Sequence, residues 1–223
     1  NRAHHADIGA ASPGSMPISQ TLDEEGLVIA PAHLQRSGEI NRAFFDELQR
    51  ATRNPTESAG DFNAQMAANR AGLEALRKVV EKYGASAFAR GLVELNDYTE
   101  RLARDALAAI PAGSYHFSDC LDDDGQGNGD IGIQVQLQVD AEGVHADFSG
   151  TAAQVAGNVN CPLAVAAAAV FYVFRCLMPA QTPACAGAFR PISLSAPEGS
   201  LLNAQRPAAV AAGNVETSTR VVD

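Results

Sequence analysis

Residues 131–139 read IGIQVQLQV, an alternation of aliphatic side chains with glycine or glutamine. Successive side chains of a strand point to opposite faces of a sheet, so this stretch predicts a strand with one buried face and one wet face. Shorter alternating stretches flank it at residues 115–119 and 144–148, and Gly143 supplies a turn signal before the second. Together the three stretches predict antiparallel pairing.

Upstream of the strands, the apolar spacing changes to that of helices. We expect a first helix over residues 42–52 and a second that begins near Pro55. Apolar side chains recur at alternating four- and three-residue steps over residues 62–83, and the same spacing returns over residues 88–102. Because Gly84 can end a helix between these two seams, they predict an antiparallel helical hairpin. Such seams suit either a core or an interface with another subunit.

Downstream of the strands, residues 163–174 form the longest apolar run, which Arg175 ends. It is shorter than the roughly 20 residues of a membrane span and therefore predicts a buried core helix. A further strand is expected over residues 192–195. The predicted fold class is α+β: a helical hairpin, an antiparallel or mixed sheet, and a buried helix.

Three regions follow from these patterns. Residues 1–40 are expected to be extended, residues 41–112 to hold the helical hairpin, and residues 113–223 to form the α+β region. The chain begins at Asn1 rather than Met, and it ends at Asp223, shortly after the start of a predicted helix. We therefore expect a piece of a larger domain that is inactive on its own.

Composition excludes several classes of partner. Lys and Arg number 16 against 26 Asp and Glu, which gives a net charge of −10 and disfavours binding to nucleic acid or to an anionic membrane. Apolar residues make up 46% and charged residues 19%, as in a chain with a real core. Four cysteines without a C-x-x-C pair predict reduced thiols and a cytoplasmic protein.

Residues 4–7 read His-His-Ala-Asp and carry the strongest chemical signal. Imidazole nitrogens and a carboxylate are ligands suited to Mn²⁺, Fe²⁺ or Zn²⁺. In an extended chain His5 and Asp7 point to the same face, whereas a turn would bring His4 and Asp7 together. The competing interpretation is a pair of surface histidines without a metal.

A second group of polar residues lies where a turn enters the last predicted helix. Asn214, Glu216, Thr217 and Ser218 crowd this helix start, where side chains and free N–H groups can bind a ligand carbonyl or carboxylate. Simple helix capping explains Thr217 or Ser218 equally well. Asn158 lies in a similar turn before the buried helix and has the same two interpretations.

The acidic, glycine-rich stretch 122–130 is interpreted as a solvated hairpin loop. Counted from Asp122, the twelfth position of an EF-hand would be Ile133 rather than Glu. The glycines precede a strand, and no Gly-Lys-Ser/Thr follows them, so no phosphate-binding loop is present. Nucleotide-binding residues are therefore not expected in this chain.

Six short motifs, taken in order, resemble the hydantoinase B / 5-oxoprolinase C-terminal family. They are residues 4–9 (HHADIG), 12–17 (SPGSMP), 147–151 (DFSGT), 157–162 (GNVNCP), 197–203 (PEGSLLN) and 213–218 (GNVETS). The resemblance spans nearly the whole chain, and several motifs in order are more specific than any one of them. The chain looks like an internal piece of an N-methylhydantoinase B-type subunit.

The resemblance implies an ATP-dependent cyclic amidohydrolase that opens N-methylhydantoin or 5-oxoproline. A hydantoinase A-type partner would use ATP and Mg²⁺ to phosphorylate the carbonyl oxygen of the ring, after which water opens it. His4 and Asp7, with His5 as a third candidate, would bind a divalent metal (Mn, Zn or Fe). Glu216 would act as general base, or merely as an acid at a helix N-terminus.

The same resemblance leaves two alternatives open. One is the metal-bearing subunit of an ATP-dependent carboxylase of the acetone or acetophenone type. The other is a non-catalytic module that serves assembly. In each case we expect an oligomer.

Overall fold

A computed structural model describes residues 1–12 and 18–223 of the chain, and the fold within them is α+β, as predicted. Residues 13–17, which make up most of the SPGSMP motif, lie outside the described residues. The elements in chain order are β1 (Gln35–Arg36), β2 (Glu39–Ile40), α1 (Arg42–Ala51), α2 (Pro55–Tyr83), α3 (Ala85–Leu107), β3 (Gly113–Asp123), β4 (Gly129–Asp140), β5 (Gly143–Asp147), α4 (Leu163–Leu177), β6 (Ile192–Ser195) and α5 (Ser218–Val222).

The sheet has the strand order β3-β4-β5-β6 and is mixed. The first three strands pair antiparallel, as the alternating stretches predict, and β6 runs parallel to β5. Leu137 lies opposite both Tyr115 of β3 and Ala146 of β5, and Ala146 lies opposite Leu194 of β6. The apolar positions of all four strands therefore share one face, and the glutamines of β4 occupy the other.

Helix α4 covers the apolar face of the sheet, as expected of a buried core helix. Its residues Ala166, Val170 and Phe174 join the same buried cluster as Ile133 and Ala146 of the sheet. The connection between β5 and β6 contains this helix, as a parallel pair of neighbouring strands requires. No helix within residues 1–12 and 18–223 is long and apolar enough to cross a membrane.

A second, smaller cluster anchors the amino-terminal segment. Phe44 and Leu48 of α1 pack against Phe62 of α2, with the rings of Phe44 and Phe62 edge to face at 5.1 Å. The ring of His5 stacks on Phe62 at a centroid distance of 4.5 Å. Within residues 1–12 and 18–41, the rest is mostly loop, with a short 3₁₀ turn at Leu22–Glu25 and the β1–β2 pair near the end.

Helices α2 and α3 correct one detail of the predicted hairpin. They meet at Gly84 as expected, but α2 buries residues only near its start and α3 only near its end. Most seam residues between are exposed, Leu73 by 66% and Leu92 by 48%, whereas Val80 and Phe88 beside Gly84 are half-buried. Periodicity identifies the apolar face of each helix, but it does not set the angle between the helices at a glycine. The two seams therefore do not bury one another.

Truncation of two aromatic residues in α4 tests which face of that helix packs on the sheet. We expect Phe174→Ala to lower the free energy of unfolding by about 3–5 kcal/mol, because Phe174 is buried in the main core. Tyr172→Ala, on the same helix but exposed, should change it by less than about 0.5 kcal/mol. Urea unfolding of the full-length protein measures both, and equal losses would contradict this packing.

Candidate functional site

A cavity of about 350 Å³ opens where three loops meet the start of α5. It brings together two of the predicted site residues, Asn158 and Glu216, which are far apart in sequence. The remaining wall residues are Ile18, Ser19, Leu121, Asp122, Asp123, Asp124, Gly125, Gln126, Val159, Ala212 and Arg220. Both Gly-Asn motifs of the sequence, at residues 157–162 and 213–218, contribute to this wall.

A larger depression of about 640 Å³ lies on the outer face of the sheet. Its lining includes Gln134 and Gln136 of β4 and His116 of β3, the outward-facing ladder of an ordinary wet sheet face. None of the residues predicted to bind substrate or metal lines it. The 350 Å³ cavity is the better candidate for a site, because buried polar groups hold its loops in one defined geometry.

Asp124 shapes one wall of the cavity from within the loop between β3 and β4. Its carboxylate is buried and accepts hydrogen bonds from the backbone N–H groups of Gln126 (2.8 Å), Asn128 (3.0 Å) and Gly157 (3.0 Å), and from Asn128 Nδ2 (2.6 Å). Burial acts to raise the pKa of Asp124, but these donors outweigh it, so the pKa lies below its ordinary value.

The turn that carries Asn158 is braced by the side chain of Asn160, which is fully buried. Its Nδ2 group donates to the carbonyls of Val155, Gly157 and Ala209, and its Oδ1 atom accepts from the N–H of Val155. One amide thereby ties this turn to the loop that precedes the Glu216 segment. A buried amide with this many partners is fully compensated for its loss of water.

Glycines permit the close approach of these loops. A Cβ atom on Gly157 would lie 1.9 Å from the carbonyl oxygen of Asp124, and one on Gly213 would lie 2.0 Å from that of Asn160. The N–H of Ala212 also donates to the carbonyl of Asn158 at 3.0 Å. The two Gly-Asn turns noted in the sequence therefore pack directly on one another.

Residues 213–217 form a single π-helical turn that leads directly into α5. This turn exposes Glu216 at the cavity and also exposes Asn214, which does not line it. Thr217 is fully buried and its hydroxyl donates to the carbonyl of Val159, while the Ser218 hydroxyl donates to the carbonyl of Asn214 at 2.8 Å. Neither hydroxyl therefore caps the helix, because both donate to carbonyls and no side-chain capping bond forms at Thr217. Ser218 bonds within its own turn, and Thr217 joins this turn to the one that carries Asn158.

The His-His-Ala-Asp segment lies elsewhere, against the start of α2. Asp7 accepts hydrogen bonds from the backbone N–H groups of Gly9 (3.0 Å), Arg53 (2.7 Å) and Asn54 (3.1 Å). The Asn54 bond is the largest cause of a lowered pKa for the Asp7 carboxyl. His5 Nε2 lies 3.0 Å from Gln65 Oε1, and His4 is exposed.

These contacts bear on the expected metal. Across residues 1–12 and 18–223, no three His, Cys, Asp or Glu side chains are grouped so that they could hold a metal ion. The Asp7 oxygens are already engaged by backbone donors, although the buried Nδ1 atom of His5 has no hydrogen-bond partner within those ranges. The residues described do not by themselves complete a metal site.

Several residues of the cavity carry no signal of their own in the sequence. Asp122 and Asp123 belong to the stretch interpreted as a solvated hairpin loop, but they end strand β3, the loop itself covers residues 124–128, and both residues line the cavity. Arg220, on the cavity wall, pairs with Asp119 at 3.2 Å, and no local pattern connects residues 101 positions apart. A run of Asp and Gly with Asn is typical of loops that bond to their own backbone, a signal that could have found Asp124.

Removing the charge of Asp124 tests the bracing of this wall. We expect Asp124→Asn to lower the free energy of unfolding by about 1–3 kcal/mol at neutral pH, because an NH₂ group then faces backbone donors. Since the folded pKa of Asp124 is lowered, its contribution is complete above the unfolded value of about 3.9 and is lost as the pH falls through the folded pKa. Urea unfolding should show wild type and variant converging below about pH 4; a constant difference would contradict this role.

Comparison with known proteins adds to this geometry. The family description "Hydantoinase B/oxoprolinase" matches residues 1–223. The chain is 34% identical over 219 residues to the putative B-type subunit of a D-/L-hydantoinase from Pseudomonas sp. (strain NS671), covering 92% of this chain and 37% of that protein. It is 31% identical over 233 residues to 5-oxoprolinase from Dictyostelium discoideum, covering 100% of this chain and 18% of that protein.

Solved structures share the fold. An ATP-dependent caprolactamase from Pseudomonas jessenii superimposes with a TM-score of 0.83 at 27% identity, over 97% of this chain and 38% of that one. An acetone carboxylase superimposes with a TM-score of 0.80 at 17% identity, over 95% of this chain and 30% of that one, and this likeness concerns the fold alone. The chain thus spans well under half the length of these relatives, and along its full extent it belongs to the hydantoinase B/oxoprolinase family.

Proposed function

We propose that this chain is part of an ATP-dependent cyclic amidohydrolase that opens N-methylhydantoin or 5-oxoproline, with the ring held in the 350 Å³ cavity. The observation that carries the proposal is the meeting of Asn158 and Glu216 on one wall of a cavity of ligand-binding size. The names of the relatives add support, because hydantoins, 5-oxoproline and caprolactam are all cyclic amides.

Within the cavity we assign two roles. Glu216 takes a proton from the water that attacks the ring carbonyl, the task of a general base. Asn158 has both donor and acceptor groups in its side-chain amide, and these match the carbonyl and N–H of a cyclic amide. Asn214, Thr217 and Ser218, also predicted to bind substrate, support the turn on which Glu216 stands.

The charge of the cavity favours a neutral substrate. Asp122, Asp123 and Glu216 line it, and the cation on its wall, Arg220, already pairs with Asp119. Such a wall suits the uncharged ring of N-methylhydantoin better than 5-oxoproline, whose carboxylate is ionised at neutral pH, and it repels the phosphates of a nucleotide. We therefore place ATP and Mg²⁺ on a hydantoinase A-type partner, which we expect because the name of the Pseudomonas relative marks it as one subunit of a hydantoinase.

We also propose that His4 and Asp7, with His5 as third candidate, contribute to a divalent-metal site that needs further donors. His4→Ala should reduce the metal bound per full-length protein, because the exposed imidazole is removed without disturbing the hydrogen bonds of Asp7. His116→Ala, on the outer face of the sheet, is the matched control and should retain the metal. Elemental analysis of the purified complex measures the bound metal. If the metal content of His4→Ala equals that of the wild type, His4 is not a ligand.

Charge removal at Glu216 tests the proposed reaction. In the complex with its partner, Glu216→Gln should lower kcat for ring opening by about 10²–10⁴-fold, because the amide cannot accept the proton from water. Glu198→Gln, at an exposed glutamate outside the cavity, should leave kcat unchanged. Steady-state assays with N-methylhydantoin and 5-oxoproline in the presence of ATP measure this effect.

Two outcomes would contradict the proposal. If Glu216→Gln hydrolyses both cyclic amides at the wild-type rate, the cavity is not the reaction site. If the intact complex incorporates labelled bicarbonate into a ketone product and opens neither ring, the carboxylase alternative replaces the hydrolase. An intact complex that hydrolyses no ATP with any cyclic amide or ketone would favour the assembly module.

A further inference from the structure

Glu25 is a buried carboxylate whose partners belong to a segment 185 residues away. It lies at the end of a short 3₁₀ turn and is only 8% exposed. Its two oxygens accept hydrogen bonds from the N–H of Val210 at 2.9 and 3.0 Å, and one of them accepts from the N–H of Ala211 at 2.8 Å. The Ser19 hydroxyl donates to the same carboxylate at 2.8 Å.

This arrangement resembles the binding of an anion by successive backbone N–H groups. Burying a carboxylate is costly unless hydrogen bonds replace its water, and here two N–H groups and one hydroxyl do so. No salt bridge to Glu25 is present within residues 1–12 and 18–223, so this compensation comes from oriented dipoles. The contact therefore depends on the precise path of the 210–211 backbone.

The backbone of Val210 and Ala211, which Glu25 binds, leads directly into the turn 213–217 that carries Glu216. The residue after Ala211 is Ala212, whose carbonyl accepts from the N–H of Glu216 at 2.8 Å. The N–H of Gly213 donates to the carbonyl of Val210 at 3.1 Å, which closes the turn on the clamped residue itself. We expect a displacement of the Val210 backbone to move Glu216 as well, because consecutive backbone hydrogen bonds connect the two residues.

The same carboxylate also binds a residue of the cavity wall. Ser19, which donates to Glu25, lines that cavity and is almost completely buried. Residues 208–212 read Ala-Ala-Val-Ala-Ala, and Ala209 and Ala212 within them are buried. The hydrogen bonds to Glu25 add a directional constraint on the backbone of Val210 and Ala211 to this packing.

We propose that Glu25 is a positioning residue for Glu216: its carboxylate fixes the 210–212 backbone and thereby sets where the general base stands in the cavity. The inference rests on the proposed function for its catalytic consequence. That Glu25 holds the 210–211 backbone follows from the hydrogen bonds themselves.

The test replaces Glu25 in the full-length complex by Gln, which has the same shape but presents an NH₂ group to the backbone donors. Hydrogen exchange at the amides of Val210 and Ala211 should accelerate by about tenfold or more, because their acceptor is weakened. For ring opening, kcat should fall by about 10–100-fold with a smaller change in KM, as displacement of a reacting group by about an ångström produces.

Two further variants separate positioning from general destabilisation. Glu25→Asp keeps the charge at a shorter reach and should recover part of the lost kcat. Val144→Ala truncates a buried core residue on β5, away from the cavity, and should leave both the Val210 and Ala211 exchange and kcat near wild type.

If hydrogen exchange at the amides of Val210 and Ala211 is unchanged in Glu25→Gln, Glu25 does not hold this backbone and the proposal is overturned. Accelerated exchange with wild-type kcat and KM, in a complex that Glu216→Gln inactivates, overturns the positioning role. If Glu216→Gln itself retains full turnover, the proposed function fails, whereas the exchange result still decides whether Glu25 holds the loop.

Discussion

Buried polar side chains that hydrogen-bond to the backbone of neighbouring loops are the constraint on which the candidate site depends. Three such side chains connect the loops around the cavity. Asp124 and Glu25 accept from backbone N–H groups of distant loops, and Asn160 donates to the carbonyl of Ala209. A polar group left unsatisfied in such a place costs about 1–3 kcal/mol, so loops of this kind keep one arrangement.

The apolar core has a different task. One face of the β3–β6 sheet and the inner face of α4 form a continuous cluster that fixes where the loops begin and end. Helix α3 joins this cluster only through its last turns, at Ala103 and Leu107. The rigid sheet therefore carries a cavity at its loop end, while the opposite half of the α2–α3 pair presents exposed apolar side chains of the kind found at interaction surfaces.

The two chemical signals of the sequence lie on separate parts of the molecule. The His-His-Ala-Asp segment packs on α1 and α2, whereas Asn158 and Glu216 face the cavity at the sheet, and no residue of 1–12 lines that cavity. Residues 18–27 connect the two regions: the N–H of Leu27 donates to the carbonyl of Ile8, and that of Leu22 donates to the carbonyl of Pro207. Binding of the substrate ring and binding of a metal are accordingly separate proposals with separate tests.

The sequence by itself determined the four strands of the main sheet, the main helices and the family, because side-chain periodicity and short motifs are local properties, but it did not indicate the short β1–β2 pair. It also indicated Asn158 and Glu216, since both lie in turns crowded with polar residues. Only the tertiary structure decided that the α2 and α3 seams stay exposed, that Thr217 and Asp124 are buried, and that Glu25 binds the 210–211 backbone. An interhelical angle and a hydrogen bond across 185 residues depend on how distant segments pack, and no local pattern contains that information.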